Sequence, residues 1–429
     1  MRSLNSVLRF GLFAILALAF VADVHAVGYF VRTSGNDSNN GRSPETAFKT
    51  IQRAFNVMQS GDDVIIGGGT YNEEPAFNKN GAGPNYNYNI FGDVNNQCGD
   101  GTNVAVFRMK LTGSFVRVLN ITFTGNNHDP AVTFDGVKTG RMDDCVIAGG
   151  DVGLEVRNSK LLLSKCTIRD TEKDGIKVEG SEELALVNYC EIYDCGDSGV
   201  LVKGGSSNVV LVQAVVRNNG EHGVEVDSSG SQVALAQTKL IDNGKNGAKV
   251  KDAGLSLVNC LVAYNGDEGV ESKGSNVNLS LDQCTVAYNG DDGIDHDSSA
   301  GTANIGNCII AFNEDNGFDF ADDRRVWHGF NLVYGNNHGN YSHTNVGNGE
   351  IQSDPKFIGN RDLRLQTTSP AIDTVSVVHR IDLAGSARPI GAMNDMGCFE
   401  SASVTVTNYY VSTQGNDSND GRATSRAFR

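Results

Sequence analysis

An all-β solenoid is the fold this sequence predicts, and three regularities predict it. A glycine returns every 22 or 24 residues, at Gly153, Gly175, Gly199, Gly223, Gly247, Gly269, Gly293 and Gly317. The copies read as variants of Gly-Val-Glu-Val (223–226) or Gly-Ile-Asp-His (293–296), and a period of that size marks stacked units, not one globular core. A cysteine column keeps the same register: Cys145, Cys166, Cys190, Cys260, Cys284 and Cys308, with Ala214 and Thr238 in the two gaps. Five residues behind it runs an asparagine column of Asn219, Asn243, Asn265, Asn289 and Asn313. Third, short period-2 strands broken by Gly, Asn and Asp fill the stretch between Val104 and Val333, with no helical period of useful length. Inward cysteine packs as a small hydrophobe, and stacked asparagines can hydrogen-bond along the axis. No local Cys-x-x-Cys or Cys/His spacing suggests a metal or disulfide array instead.

The elements follow in order. Residues 1–26 read as a secretory signal peptide: Arg2 and Arg9 precede an apolar run from Phe10 to Ala22, and Val24-His25-Ala26 has the small residues of a cleavage site. That run is too short to span a bilayer, so a secreted or cell-surface protein without membrane insertion is expected. Residues 27–70 are read as an N-terminal cap and first turn. Tyr29-Phe30-Val31 is a strand, Ser43-Pro44 opens a helix with Phe48, Ile51, Phe55 and Met58 on one face, and Val64-Ile65-Ile66 begins the solenoid. The helix would cover an open sheet end that could otherwise aggregate. Residues 71–325 hold the repeats and residues 326–400 a closing segment. Residues 401–429 begin a second copy of the module: Tyr409 to Phe428 matches Tyr29 to Phe48 at twelve of twenty positions, so a tandem array is expected.

The formal charge of −16 excludes nucleic acid and anionic lipid as natural partners and suits calcium. A monomer is expected.

The cap residues Gly35-Asn36-Asp37, Gly41, Phe48-Lys49-Thr50-Ile51-Gln52 and Gly61-Asp62, with the turns that follow, resemble exported right-handed parallel β-helix proteins of the pectin-lyase-like superfamily. Residues 354–400 resemble the closing segment of the choice-of-anchor Q group, through Asp354-Pro355-Lys356-Phe357, Leu363-Arg364-Leu365, Ser369-Pro370-Ala371-Ile372-Asp373, Arg388-Pro389 and Asp395-Met396-Gly397-Cys398-Phe399-Glu400. The resemblance implies a single-stranded right-handed parallel β-helix, here of about ten turns. It leaves polysaccharide lyase, polygalacturonase, uronate epimerase and non-catalytic members all open.

Chemistry is sought on the outer strand faces. Two residues after each repeat glycine stand Glu155, Lys177, Leu201, Glu225, Lys249, Glu271, Asp295 and Asp319. Four after it stand Arg157, Glu179, Lys203, Asp227, Lys251, Lys273, Asp297 and Ala321. Turns stack about 4.8 Å apart, so the alternating signs from Arg157 to Lys251 form an ion-pair ladder. The alternation then fails. Glu271, Asp295 and Asp319 fall in one column, Asp267, Asp291 and Asp315 in another, and Glu268 and Asp292 beside it. Crowded carboxylates raise one another's pKa or recruit a cation.

A calcium-assisted lyase on an anionic, uronate-containing polysaccharide is the leading enzymatic expectation. Asp267, Glu271, Asp291, Asp295, Asp297 and Asp319 would supply oxygen ligands, and Lys251 or Lys273 the base. A hydrolase would use paired carboxylates, here Asp291 and Asp292, with Glu268 one turn earlier. Gly290-Asp291-Asp292-Gly293 matches polygalacturonase aspartates, but Asn316-Gly317 stands where those enzymes carry a Gly-His-Gly turn. Asp295-His296-Asp297 only loosely echoes the epimerase motif, and His296 falls in the inward column of Val202, Val226 and Val250. Arg324, Arg325 and Trp327 are candidate sugar-binding residues, with Trp327 alternatively filling the closing cap. The competing class is a non-catalytic adhesion or carbohydrate-binding module. Asn-Gly-Asp-Asp-Gly at 289–293 is also what a tight turn wants.

Overall fold

The computed structural model describes residues 28–81, 88–180, 183–187, 189–376, 379–401, 411–414 and 416. The segment read as a signal peptide lies outside them, as does most of the repeated cap at 401–429. Three parallel sheets run along one axis. Sheet A has 13 strands from Gly28–Val31 to Val326–Gly329, sheet B 12 from Gly69–Tyr71 to Leu332–Tyr334, and sheet C 12 from Ala76–Lys79 to Gly339–Ser342. The chain visits A, B and C in turn, giving 12 three-stranded coils after the first strand. That is somewhat more than the expected ten: the first three coils carry no repeat glycine, and a twelfth, Val326 to Ser342, continues past residue 325.

Each repeat column has a steric or hydrogen-bonding cause. A Cβ on Gly247 would lie 2.4 Å from Val262 Cγ1 and 2.7 Å from the Gly269 carbonyl oxygen, so the corner before each sheet C strand closes only over bare backbone. Asn219, Asn243, Asn265 and Asn289 each donate from Nδ2 to Oδ1 of the asparagine one coil on, at 2.9 Å. Asn313 extends the ladder to Asn336 at 2.8 Å. The nine cysteines are buried thiols, none joined in a disulfide.

The N-terminal cap departs from expectation in one respect. Ser43 and Pro44 open only a 3₁₀ turn, Pro44–Thr46, and the helix is Ile51–Val57, capped by Thr50. Phe48 sits instead in a β-bridge to Val31, yet Phe48, Ile51, Phe55 and Met58 are all buried as proposed.

The closing segment takes a course the sequence reading did not foresee. Residues 357–400 lie along the outer flank of sheet B as a lateral strap. Phe357, Leu363, Leu365, Ala371, Val375, Met396 and Cys398 cluster with Leu261, Ala263, Ala287, Ile309, Ala311 and Leu332. Gln237 donates to the Asp382 carbonyl at 2.7 Å, and Gly397 to the Asn307 carbonyl at 2.9 Å, so the strap crosses several coils. Inside it Arg388 donates to the carbonyls of Asp395 and Gly397, and its guanidinium lies 3.5 Å from Glu400. The end of the solenoid is sealed separately by Glu350. Its fully buried carboxylate accepts from His328, Asn331, Tyr341 and the Gly347 amide. Burial raises its pKa, but these bonds outweigh burial and hold it below the ordinary value.

Candidate functional site

Sheet C carries the polar columns on its outer face, in the expected register. Glu271 pairs with Lys249 on one side and Asp295 on the other, and Asp295 with Asp319. The ladder from Arg157 to Lys251 is largely formed, with Arg157–Glu179 at 3.5 Å, Lys177–Glu155 at 3.6 Å and Lys251–Asp227 at 3.7 Å.

Beyond Lys249 the structure assembles two distinct carboxylate groups. In the first, oxygens of Glu268, Glu271 and Asp295 all lie within 4.8 Å of one another. Two lysines hold this group: Lys249 lies 3.0 Å from Glu271, while Lys273 bridges Glu271 at 2.5 Å and Asp295 at 3.2 Å. Asn246 donates to both Glu268 (2.9 Å) and Glu271 (3.0 Å). Burial, reinforced by Glu271, Asp291 and Asp295, lifts Glu268 to about 7. Burial likewise lifts Asp295 to about 6 against the pull of Lys273. Glu271 ends below its ordinary value, since the lysines outweigh its burial. This site therefore keeps one carboxyl that exchanges a proton near neutrality beside a carboxylate locked in its charged form.

The second group is Asp291, Asp292 and Asp315, again within 4.8 Å. Burial and then the charges of Asp315 and Asp267 raise Asp291. Asp292, raised by burial, accepts from the Asn316 amide at 2.8 Å and its side chain at 3.1 Å. Asp315 meets His338. Among the described residues, no Lys or Arg ion pair closes on these three aspartates.

The other candidate residues fall in different settings. Burial alone would lower the pKa of Lys273, but Glu271 and Asp295 more than reverse this and raise it. Lys251 is exposed and lies 3.7 Å from Asp227. Glu271 and Asp295 are ion-paired with lysines and also stand, with Glu268, among carboxylates close enough to share a cation. Asp267, Asp297 and Asp319 join neither three-carboxylate group, and Asp319 pairs with His343 at 2.9 Å. Arg324 folds back on Asp322 at the exposed 3₁₀ turn Asp323–Arg325. Trp327 stands 49% exposed on sheet A, on a different face from the carboxylates, and fills no cap. His296 is a core residue as weighed, 1% exposed and 2.7 Å from Ser272 Oγ.

Sequence reasoning singled out Glu268 and Asp292 in the column immediately before the glycines and missed its other members, Asp174, Ser198, His222, Asn246 and Asn316. These largely buried groups link coil to coil, as Ser198 N–H to Asp174 and Asn246 N–H to His222 Nδ1. The signal was there, since polar residues recur at that one position.

Comparison with known proteins agrees with this geometry at the level of fold. The family model described as a right-handed beta-helix region matches residues 105–254. The fold is a right-handed parallel β-helix. A search of curated proteins gives no match. Among solved structures, the pectate lyase Pel9A aligns at 15% identity and TM-score 0.51, over 87% of this chain and 96% of its own. XylC in complex with xylose aligns at 10% identity and TM-score 0.62, over 87% and 98%. At these identities the likeness is one of fold alone. No helix among the described residues is long and apolar enough to cross a membrane.

Proposed function

We propose that this is an exported polysaccharide-recognising protein whose outer sheet C face takes a linear anionic glycan, with lyase-type cleavage as its leading enzymatic form. One observation carries the reading: Glu268, poised near neutrality, lies beside the Lys-clamped Glu271 and Asp295 on an open face extended along the axis. The uronate-directed lyase resemblance and the pectate lyase neighbour support the substrate class, and the apolar segment at 10–22 supports export.

In a β-elimination, Glu268 as carboxylate would take the proton from C5 of a uronate. The C–H electrons form the C4=C5 double bond, the C4–O bond breaks, and the leaving oxygen gains a proton from water. Asp291, Asp292 and Asp315 fit a hard cation, being three carboxylates of raised or crowded charge without a Lys or Arg partner. A calcium ion held there would neutralise a uronate carboxylate. A non-catalytic binding module is the second reading, favoured by the ion-paired state of both Lys249 and Lys273.

The test is mass spectrometry of products after incubation of residues 27–400 with pectate, alginate and glycosaminoglycan, with calcium or chelator. Unsaturated oligosaccharides from the parent and not from Glu268→Gln support the lyase. Intact polymer in every arm, with binding retained, leaves the adhesion reading.

A further inference from the structure

The one tryptophan of the chain is unused by the sheet C site, and its setting is unusual. Trp327 lies on the last strand of sheet A, beside Asn304 of the previous coil. A Cβ on Gly306 would lie 3.1 and 3.3 Å from Cζ3 and Cη2 of the indole, and a Cβ on Gly329 3.5 Å from Cζ2. The six-membered ring thus occupies the space two side chains would fill, lying over bare backbone. About half of the residue faces solvent. An exposed large aromatic held in this way loses little freedom on binding.

Its surroundings are polar, with Arg325 exposed two residues before it and Arg324 exposed and paired with Asp322. Register places Ser280 and Asn304 in line with Trp327, and Asn278 beside Thr302 in the adjoining outward column. Asn278, Thr302 and Asn304 are exposed, and Thr302 Oγ1 donates to Asn278 at 2.9 Å. The nearest acid on this face, Asp282, is engaged by Asn307 and by His379 of the strap. A chain of net charge −16 thus presents here a ladder of hydroxyl and amide groups about 4.8 Å apart, ending on an indole face.

We propose that this surface is a second glycan-binding site, one that reads sugar ring faces and hydroxyls. A pyranose C–H face would stack on Trp327, and the next residues of the glycan would hydrogen-bond to Asn304 and Ser280 along the axis.

Because Trp327 is the only tryptophan, its fluorescence reports this site without interference. Titration with cellohexaose, xylohexaose or mannohexaose should give a saturable blue shift that persists in high salt and chelator. In gels containing the responding neutral polymer, Trp327→Ala should lose its retardation, and Asn304→Ala should bind about tenfold more weakly. Both variants should keep the parent's melting temperature. Unmoved emission with all three neutral oligosaccharides overturns the proposal. So does a parent that self-associates in sedimentation while Trp327→Ala does not, which would make the patch a protein contact. Neither outcome touches the sheet C reading, whose readout is product formation.

Discussion

Glu268 shows how one coil of a repeat becomes chemistry. The position before the repeat glycine is Ser198 or Asn246 elsewhere, which only stitch coils together. A carboxyl in that half-buried slot is pushed to about 7. The folded protein then keeps a proton that the unfolded chain has released, so this group's contribution falls as pH rises from about 4.5 to 7. Asp295, at about 6, adds the same sign. Glu271 has the opposite sign, because its depressed pKa gives stability that is lost on acidification. Glu268→Gln should therefore melt about 2 °C above the parent at pH 8 and match it near pH 4. A constant difference across that range would mean that Glu268 does not titrate as described. The acidic columns were legible in the sequence, but there Lys249 is only a column member and Lys273 a candidate base, with nothing to show that both hold Glu271. Long lysine stems reach a neighbour on the next coil and one two residues along the strand, and spacing alone does not say which is chosen.

Elements explain why the repeat is so regular. Asn265→Ala would remove the acceptor shared by the Asn243 amide and its Nδ2 in a buried ladder, at a cost of about 1–3 kcal/mol by chemical denaturation. Gly247→Ala should cost about as much through overpacking against Val262 and the Gly269 carbonyl. These columns were plain in the sequence because each coil must solve the same steric problem. The strap was not, since nothing in 357–400 repeats. A trace of its docking surface does exist. Leu261-Val262-Ala263, Thr285-Val286-Ala287 and Ile309-Ile310-Ala311 lose the inside–outside alternation, and all nine residues are buried. Placing a charge beneath the strap, as in Ala287→Asp, should release it. Cys398, whose thiol burial pushes up to about 12, would then label with maleimide. An unreactive Cys398 in that variant would show that the strap is held by other contacts.

The molecule as a whole keeps its specialised surfaces apart. Sheet B is covered by the strap, sheet A ends on the exposed Trp327, and sheet C carries the two carboxylate groups. Calcium should raise the melting temperature of the parent and leave Asp291→Asn/Asp315→Asn unaffected, since a ligand that binds only the folded state stabilises it by mass action. An equal rise in both would place the ion elsewhere. Trp327 stands on a sheet face and not in a cap because the last coil extends beyond the final repeat glycine.

Carbodiimide footprinting of the carboxylates, read by mass spectrometry with and without a hexauronate and calcium, tests the central claim most directly. Protection of Glu268, Asp291, Asp292 and Asp295, with Glu191 and Asp322 unchanged, is the predicted result. Unchanged labelling along sheet C, while the oligosaccharide demonstrably binds, would contradict it.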